Sequence, residues 1–207
     1  MIFPDSFFTI DQTLTGDFKD KGSKFLAYAF PVSSEEEVKE QLKALKKEHY
    51  AAAHICWAYV IGVAEKEEKS SDDREPAGSA GKPILRSILE KKLCNVMVAV
   101  VRYFGGKLLG VPGLIQAYGE AAHNALLVEN LAEKRVFHVY FQACSFDQQH
   151  EIIRIGKQNS VKFYPDVQDS LPGITFEIAP GILNKMKNAL QLFGFETPYE
   201  IRVVFIK

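Results

Sequence analysis

Residues 70–85 read SSDDREPAGSAGKPIL. Asp72, Asp73 and Glu75 crowd around Arg74, and Gly78, Ser79, Gly81 and Lys82 follow before Pro83. Grouped carboxylates are the residue types for general acid–base work or for holding a hard divalent cation. A single loop seldom supplies the six or more oxygens of such a cation site. The competing role for these acids is to brace the loop against Arg74, Lys82 or Arg102. GSAGK looks like a phosphate loop, but that motif needs G-x-x-x-x-G-K-[ST]. Here Pro83 follows Lys82 and Pro76 stands five before Gly81, so the pattern fails twice. A weaker expectation survives. The segment leads into a helix, whose free N–H groups and dipole favour an anion, and Lys82 adds a positive charge. The alternative is a tight turn with a purely structural purpose. Ser79 lacks the G-x-S-x-G setting of a hydrolase nucleophile.

Two further segments carry chemistry. In HICWAYVIGV, His54 and Cys56 have strand spacing and share a face. Zinc takes three or four ligands, commonly in paired spacings. His54, Cys56 and Cys94 together give only a weak signal for such a site, and Cys56 reads as core. His54 reads as a cleft histidine or a satisfied structural one. In VVRYFGGKLLG, Arg102 and Lys107 flank Tyr103 and Phe104, while Gly105 and Gly106 let a backbone approach closely. Cation, aromatic ring and glycine together suit a phosphodiester with a stackable base. The alternative puts Tyr103 and Phe104 in the strand-end core and pairs Arg102 with the acids of the loop.

The elements that position these residues follow from periodicity. The chain has 207 residues, 47% hydrophobic and 25% charged, with net charge -1. That is ordinary globular composition, and no overall basicity points to nucleic acid. No apolar run reaches the roughly 20 residues of a membrane span. MIFPDSFFTIDQTLTGDF has acids and a proline where a signal peptide would be apolar. Three scattered cysteines fit a reducing cytoplasm better than a disulfide framework.

SFFTIDQTL and SKFLAYAFPV read as strands, with TGDFKDKG between them as a turn or short strand. SSEEEVKEQLKALKKEHYAA opens with Ser34 and Glu37 at capping-box spacing and reads as a helix. HICWAYVIGV is a strand buried on both sides. EKEEKSSDDREPAGSAG is polar and aperiodic and reads as a loop, its residues 65–71 as an acidic flexible excursion. KPILRSILEKKL is a helix with Pro83 in its first turn. NVMVAVVRYF is a strand and GLIQAYGEAAHNALLVE a helix. This order predicts a two-layer α/β sandwich over residues 1–134. Over residues 135–207, RVFHVYFQACSF, SVKFYPDVQ, LPGITFEIA and TPYEIRVVFI are strands. Two helices separate them, one capped by Asp147 and one ending at Gly194. A turn at Asp169, Ser170, Pro172 and Gly173 joins the middle strands. The order βαββαβ is the ferredoxin-like signature, making the chain α+β overall.

AAHICWAYVIG, SDDREPAGSAGKPIL and NVMVAVVRYFGGKLLGVPGLIQAYGEAA, in this order, resemble the YigZ/IMPACT family across most of residues 20–130. The resemblance implies a first domain with the fold of elongation factor G domain IV and a ferredoxin-like second domain. It also implies a place in translational control, where eukaryotic relatives act with an additional domain. Two positions depart from the family pattern: Arg74, where glycine is common, and Ser79, where threonine is common.

These readings combine into one expectation. The chain is a cytoplasmic, translation-associated protein that binds RNA, the ribosome or a translation-regulatory protein. It has no catalytic residue, cofactor, metal or membrane contact of its own. The binding face is His54, Asp72, Asp73, Glu75, Gly78, Ser79, Gly81 and Lys82 together with Arg102, Tyr103, Phe104, Gly105, Gly106 and Lys107. Lys82, Arg102 and Lys107 reach phosphate, and Tyr103 or Phe104 stacks. Two alternatives stand beside it: an enzyme for a small phosphorylated or nucleotide ligand in a His/Asp/Glu/Lys pocket, and a module that binds only protein.

Overall fold

Lys21 and Gly22 both take positive φ, 46° and 83°, the backbone of a two-residue hairpin turn whose twist suits its strands. They join β2 (Leu14–Asp20) to β3 (Ser23–Pro31), with Asp20 opposite Ser23. TGDFKDKG is therefore a full strand and its turn. The computed structural model describes residues 4–157, 161–168, 171–195 and 198–206. The chain divides into two compact units, Phe7–Glu133 and Lys134–Lys207 with Met1–Ser6. The chain is α+β, with two antiparallel sheets and five α-helices among the described residues. No described helix is long and apolar enough to cross a membrane.

A short β1 (Ser6–Thr9) precedes the hairpin in the chain. The sheet of the first unit runs β2-β3-β6-β4-β5. Central β6 (Val96–Tyr103) pairs antiparallel with β3 and with β4 (His54–Ile61). The edge strand β5 (Glu67–Ser71) corrects the loop expected over these residues. Its polar side chains hid it from a hydrophobic pattern, because an edge strand need bury neither face. Lys69 on β5 bonds Glu35 and Glu67, and the Tyr59 hydroxyl donates to Glu35 at 2.6 Å. Lys69 and Tyr59 hold the half-buried Glu35 carboxyl down at about 2.

Side-chain alternation on β6 divides the core. Val96, Val98 and Val100 face α2 (Gly81–Glu90) and α3 (Gly110–Ala125), packing with Ile84, Ile88, Tyr118 and Ala121. Met97, Ala99 and Val101 face the other way, in one cluster with Val38 and Leu45 of α1 (Glu35–Glu48). Helices thus cover both faces, and the expected two-layer sandwich has a third layer. Element order alone does not say on which face a helix lies. α1 starts at the expected cap: the Glu37 N–H donates to Ser34 Oγ at 3.3 Å, while the Glu37 carboxylate accepts the N–H of Ser33, one residue before the cap, at 2.6 Å.

The second unit contains β7 (Ala132–Ala143), α4 (Phe146–Lys157), β8 (Lys162–Gln168), β9 (Leu171–Ile178), α5 (Leu183–Leu192) and β10 (Tyr199–Ile206). Its strands run antiparallel in the order β10-β7-β9-β8. Tyr140, Ile152, Phe176, Met186 and Leu190 form its core. Ser145, not Asp147, caps α4, accepting the Gln148 N–H at 3.4 Å while Gln148 Oε1 accepts the Ser145 N–H at 2.9 Å. Asp147 sits in the first turn. Asp169 and Ser170 of the expected turn lie outside the described residues.

Candidate functional site

The loop between β5 and α2 folds around Asp72. Its Oδ1 accepts the Ala80 and Gly81 N–H groups at 3.0 and 2.8 Å, and its Oδ2 accepts the Gly78 N–H at 2.8 Å. The anion expected at the start of α2 is therefore a carboxylate of the chain itself. Burial pushes the Asp72 pKa up, but the three N–H donors and Lys82 outweigh it, so the carboxyl lies below its ordinary value. Asp73 is also engaged by backbone: its Oδ2 accepts the Ile55 N–H at 2.7 Å. Ser79 is buried and donates its hydroxyl to the Pro76 carbonyl at 2.7 Å. Cys56 donates to the Asp72 carbonyl at 3.1 Å, and burial pushes its thiol up to about 12. Among the described residues no three His, Cys, Asp or Glu side chains are grouped to hold a metal ion.

Glu75 turns inward instead. Its Oε1 accepts Arg102 Nη1 at 2.5 Å and the Tyr118 hydroxyl at 2.8 Å, and its side chain is 4% exposed. Arg102 stands at the end of β6 on the α2–α3 face, directly opposite Phe25 of β3 and His54 of β4. Its guanidinium carbon lies 5.5 Å from the Phe25 ring centre and 5.6 Å from that of Phe104. Arg102 is 5% exposed, which is tolerable for a guanidinium only with a carboxylate partner. His54 Nδ1 meets the Asp73 carbonyl at 2.8 Å. A carbonyl only accepts, so Nδ1 carries a proton, and in the neutral imidazole Nε2 presents a lone pair. Nε2 lies 3.9 Å from Glu75 Oε1.

These groups floor a pocket of about 520 Å³ whose apolar walls include Pro76, Phe104, Leu108, Leu109, Val111 and Leu114. Phe104 is 51% exposed and Leu108 84%. The pocket brings together His54, Glu75, Arg102 and Phe104 of the expected set. Asp72, Asp73, Gly78, Ser79 and Gly81 build the loop that carries Glu75. Lys82 projects from the first turn of α2 and Lys107 from the 104–109 turn, both exposed. Tyr103 points away from Arg102, toward the α1 face, where its hydroxyl meets His49 Nδ1 at 2.8 Å. A Cβ on Gly105 would lie 1.9 Å from the Gly22 carbonyl carbon, so this glycine seats the 104–107 turn against the β2–β3 hairpin. Gly106 has φ 81°.

Tyr118 and the aliphatic walls were absent from the expected set. The signal for Tyr118 was a hydroxyl on an otherwise apolar helix face, which needs a buried partner. The walls carried no signal, since leucine and valine look the same in a core and in a pocket.

The Impact N-terminal domain family matches residues 21–126, from the β2–β3 turn to the end of α3. IMPACT family member YvyE of Bacillus subtilis (strain 168) is 34% identical over 141 residues, 68% of this chain and 65% of that protein. IMPACT family member YigZ of Escherichia coli (strain K12) is 35% identical over 130 residues, 62% of this chain and 64% of that protein. The chain thus spans a little under two thirds of the length of each. A crystal structure of a hypothetical protein, 26% identical, superposes with a TM-score of 0.66 over 96% of this chain and 97% of that one. The matched domain contains the loop held by Asp72, the buried Glu75–Arg102 pair and the pocket above it, and the chain belongs to the IMPACT family.

Proposed function

We propose that the chain is a translation-associated binding protein that engages RNA through the pocket face of its first unit and performs no catalysis. Family membership supports the translational setting. One observation carries the RNA reading. Phe104 stands half-exposed at the pocket rim, and exposed Lys107 and Lys21 flank it, the latter through the hairpin on which Gly105 packs. Neither lysine forms an ion pair among the described residues. An aromatic platform beside free cations is how single strands are held.

On this reading residues 1–134 form an IMPACT-type domain resembling elongation factor G domain IV, and residues 135–207 a ferredoxin-like one. The β10-β7-β9-β8 order supports the latter. The setting is the cytoplasm. Arg102 is an unsuitable probe of phosphate contact, because removing it strands a buried Glu75 at a cost of about 3–5 kcal/mol. The lysines are the test. A Lys21→Glu, Lys107→Glu variant should bind single-stranded RNA more weakly and co-sediment less with ribosomes. Its log–log salt slope should fall by about 1.4, the share of two phosphate contacts. Unchanged affinity at low and high salt alike would overturn the reading.

A second reading, an enzyme for a small phosphorylated or nucleotide ligand, draws on one observation: His54 Nε2 and Glu75 Oε1 stand 3.9 Å apart in the pocket. Turnover of a nucleotide by the purified chain, lost in His54→Ala, would favour it.

A further inference from the structure

We infer that the pocket receives one unpaired nucleobase carrying an amino group (adenine, cytosine or guanine) and discriminates against uracil through Glu75 Oε2 and His54 Nε2. The inference rests on the RNA reading for the source of the base, and a free nucleotide offers the same chemistry.

The floor holds two acceptors without donors. Glu75 Oε1 is occupied by Arg102 and Tyr118, whereas Oε2 accepts no hydrogen bond among the described residues and is not sealed from solvent. His54 carries a proton on Nδ1, fixed by the Asp73 carbonyl, and its Nε2, an acceptor in the neutral imidazole that this inference takes, stands 3.9 Å from Oε1 of the same carboxylate. Both residues line the pocket. A carboxylate this buried with an idle oxygen is a group that a ligand donor stabilises.

The remaining features narrow the donor. Arg102 balances Glu75, so the floor has no net charge. A lysine or arginine side chain would meet the guanidinium, and a phosphate would meet the carboxylate. A neutral head with two N–H groups avoids both penalties. The walls are apolar, and about 520 Å³ lies in the size range of small-ligand pockets and above what one carboxamide side chain fills. Phe104 offers a ring face at the rim, and Lys107 follows three residues later for the attached phosphate. An apolar flat body with a donor edge and a phosphate tail is a nucleotide. Adenine and cytosine present an exocyclic NH₂, and guanine an N–H beside one. Uracil presents a single N–H and leaves one acceptor unpaired.

The test uses the full chain. Affinities are measured for single-stranded rA, rC and rU octamers, and side-chain methyl NMR of the wall leucines and Val111 is recorded with AMP, CMP and UMP. The expected result is binding of rA and rC about fivefold tighter than rU, the worth of one net hydrogen bond. AMP and CMP, more than UMP, should shift the wall methyls. His54→Ala should reduce the preference for rA and rC over rU below twofold, and Phe104→Ala, at an exposed site, should weaken all three octamers. Equal binding of all octamers with unmoved wall methyls overturns the base pocket and leaves the RNA reading intact. Methyl shifts with AMP and CMP but no RNA binding uphold the pocket, assign it to a free nucleotide and overturn the RNA reading. Shifts with an asparagine-containing peptide and none with nucleotides assign the pocket to a protein partner and overturn the inference.

Discussion

Arg74 has a φ of 71° beside an Asp73 at 38°. A side chain in this left-handed region costs roughly 1–2 kcal/mol, and only glycine escapes it. Glycine in turn adds roughly 0.5–1 kcal/mol of chain entropy to be lost on folding. Arg74→Gly should therefore raise stability by about 0.5 kcal/mol, read as a higher urea midpoint at unchanged m-value. The exposed Arg74 side chain, 3.7 Å from Asp73 Oδ1, gives up little in exchange. The family resemblance marks Arg74 as a departure from a glycine, and a positive φ is the backbone that glycine adopts without this cost. The sequence pointed to Arg102 as the partner of the loop's acids but not to Glu75 as the acid that takes it. Which of three neighbouring acids turns inward depends on the loop's path, and composition does not encode a path.

At the scale of elements, Asp72 holds three N–H groups at the entrance to α2. Its folded pKa is depressed, so its contribution is complete above the unfolded value of about 3.9 and is lost as pH falls through the lower folded value. Asp72→Asn keeps one acceptor and removes the charge. The variant should be less stable at pH 7, and its stability should fall less steeply below pH 4 than that of the parent in urea titrations. The anion seat itself was readable, since GSAGK before a helix predicts free N–H groups. Its occupant was not, because Asp72 lies nine residues before Gly81 and only the folded turn brings it back. The helices were legible from caps and spacing. Ser145 and Asp147 compete by type for one cap, and the chain direction at the end of β7 decides between them.

For the whole molecule, both hydrophobic clusters of the first unit lie within residues 7–133. That fragment should unfold in one urea transition and retain the RNA affinity of the full chain. Loss of binding with an intact fold would move the site to the second unit. The α+β class was readable from strand and helix order, and so was the βαββαβ sequence of the second unit. The third layer of the first unit was not, because a strand such as VMVAVVRY, apolar at nearly every position, says that both faces are covered without saying by what.

The edge strand β5 has a consequence for the molecule among its copies. Glu67, Glu68 and Lys69 line the open side of the sheet. A strand arriving from a neighbouring chain would have to desolvate these charges to continue the ladder, and two such edges would repel each other. The segment that reads as a polar excursion acts as a guard against end-on polymerisation, at the border where an apolar five-stranded sheet would otherwise invite it.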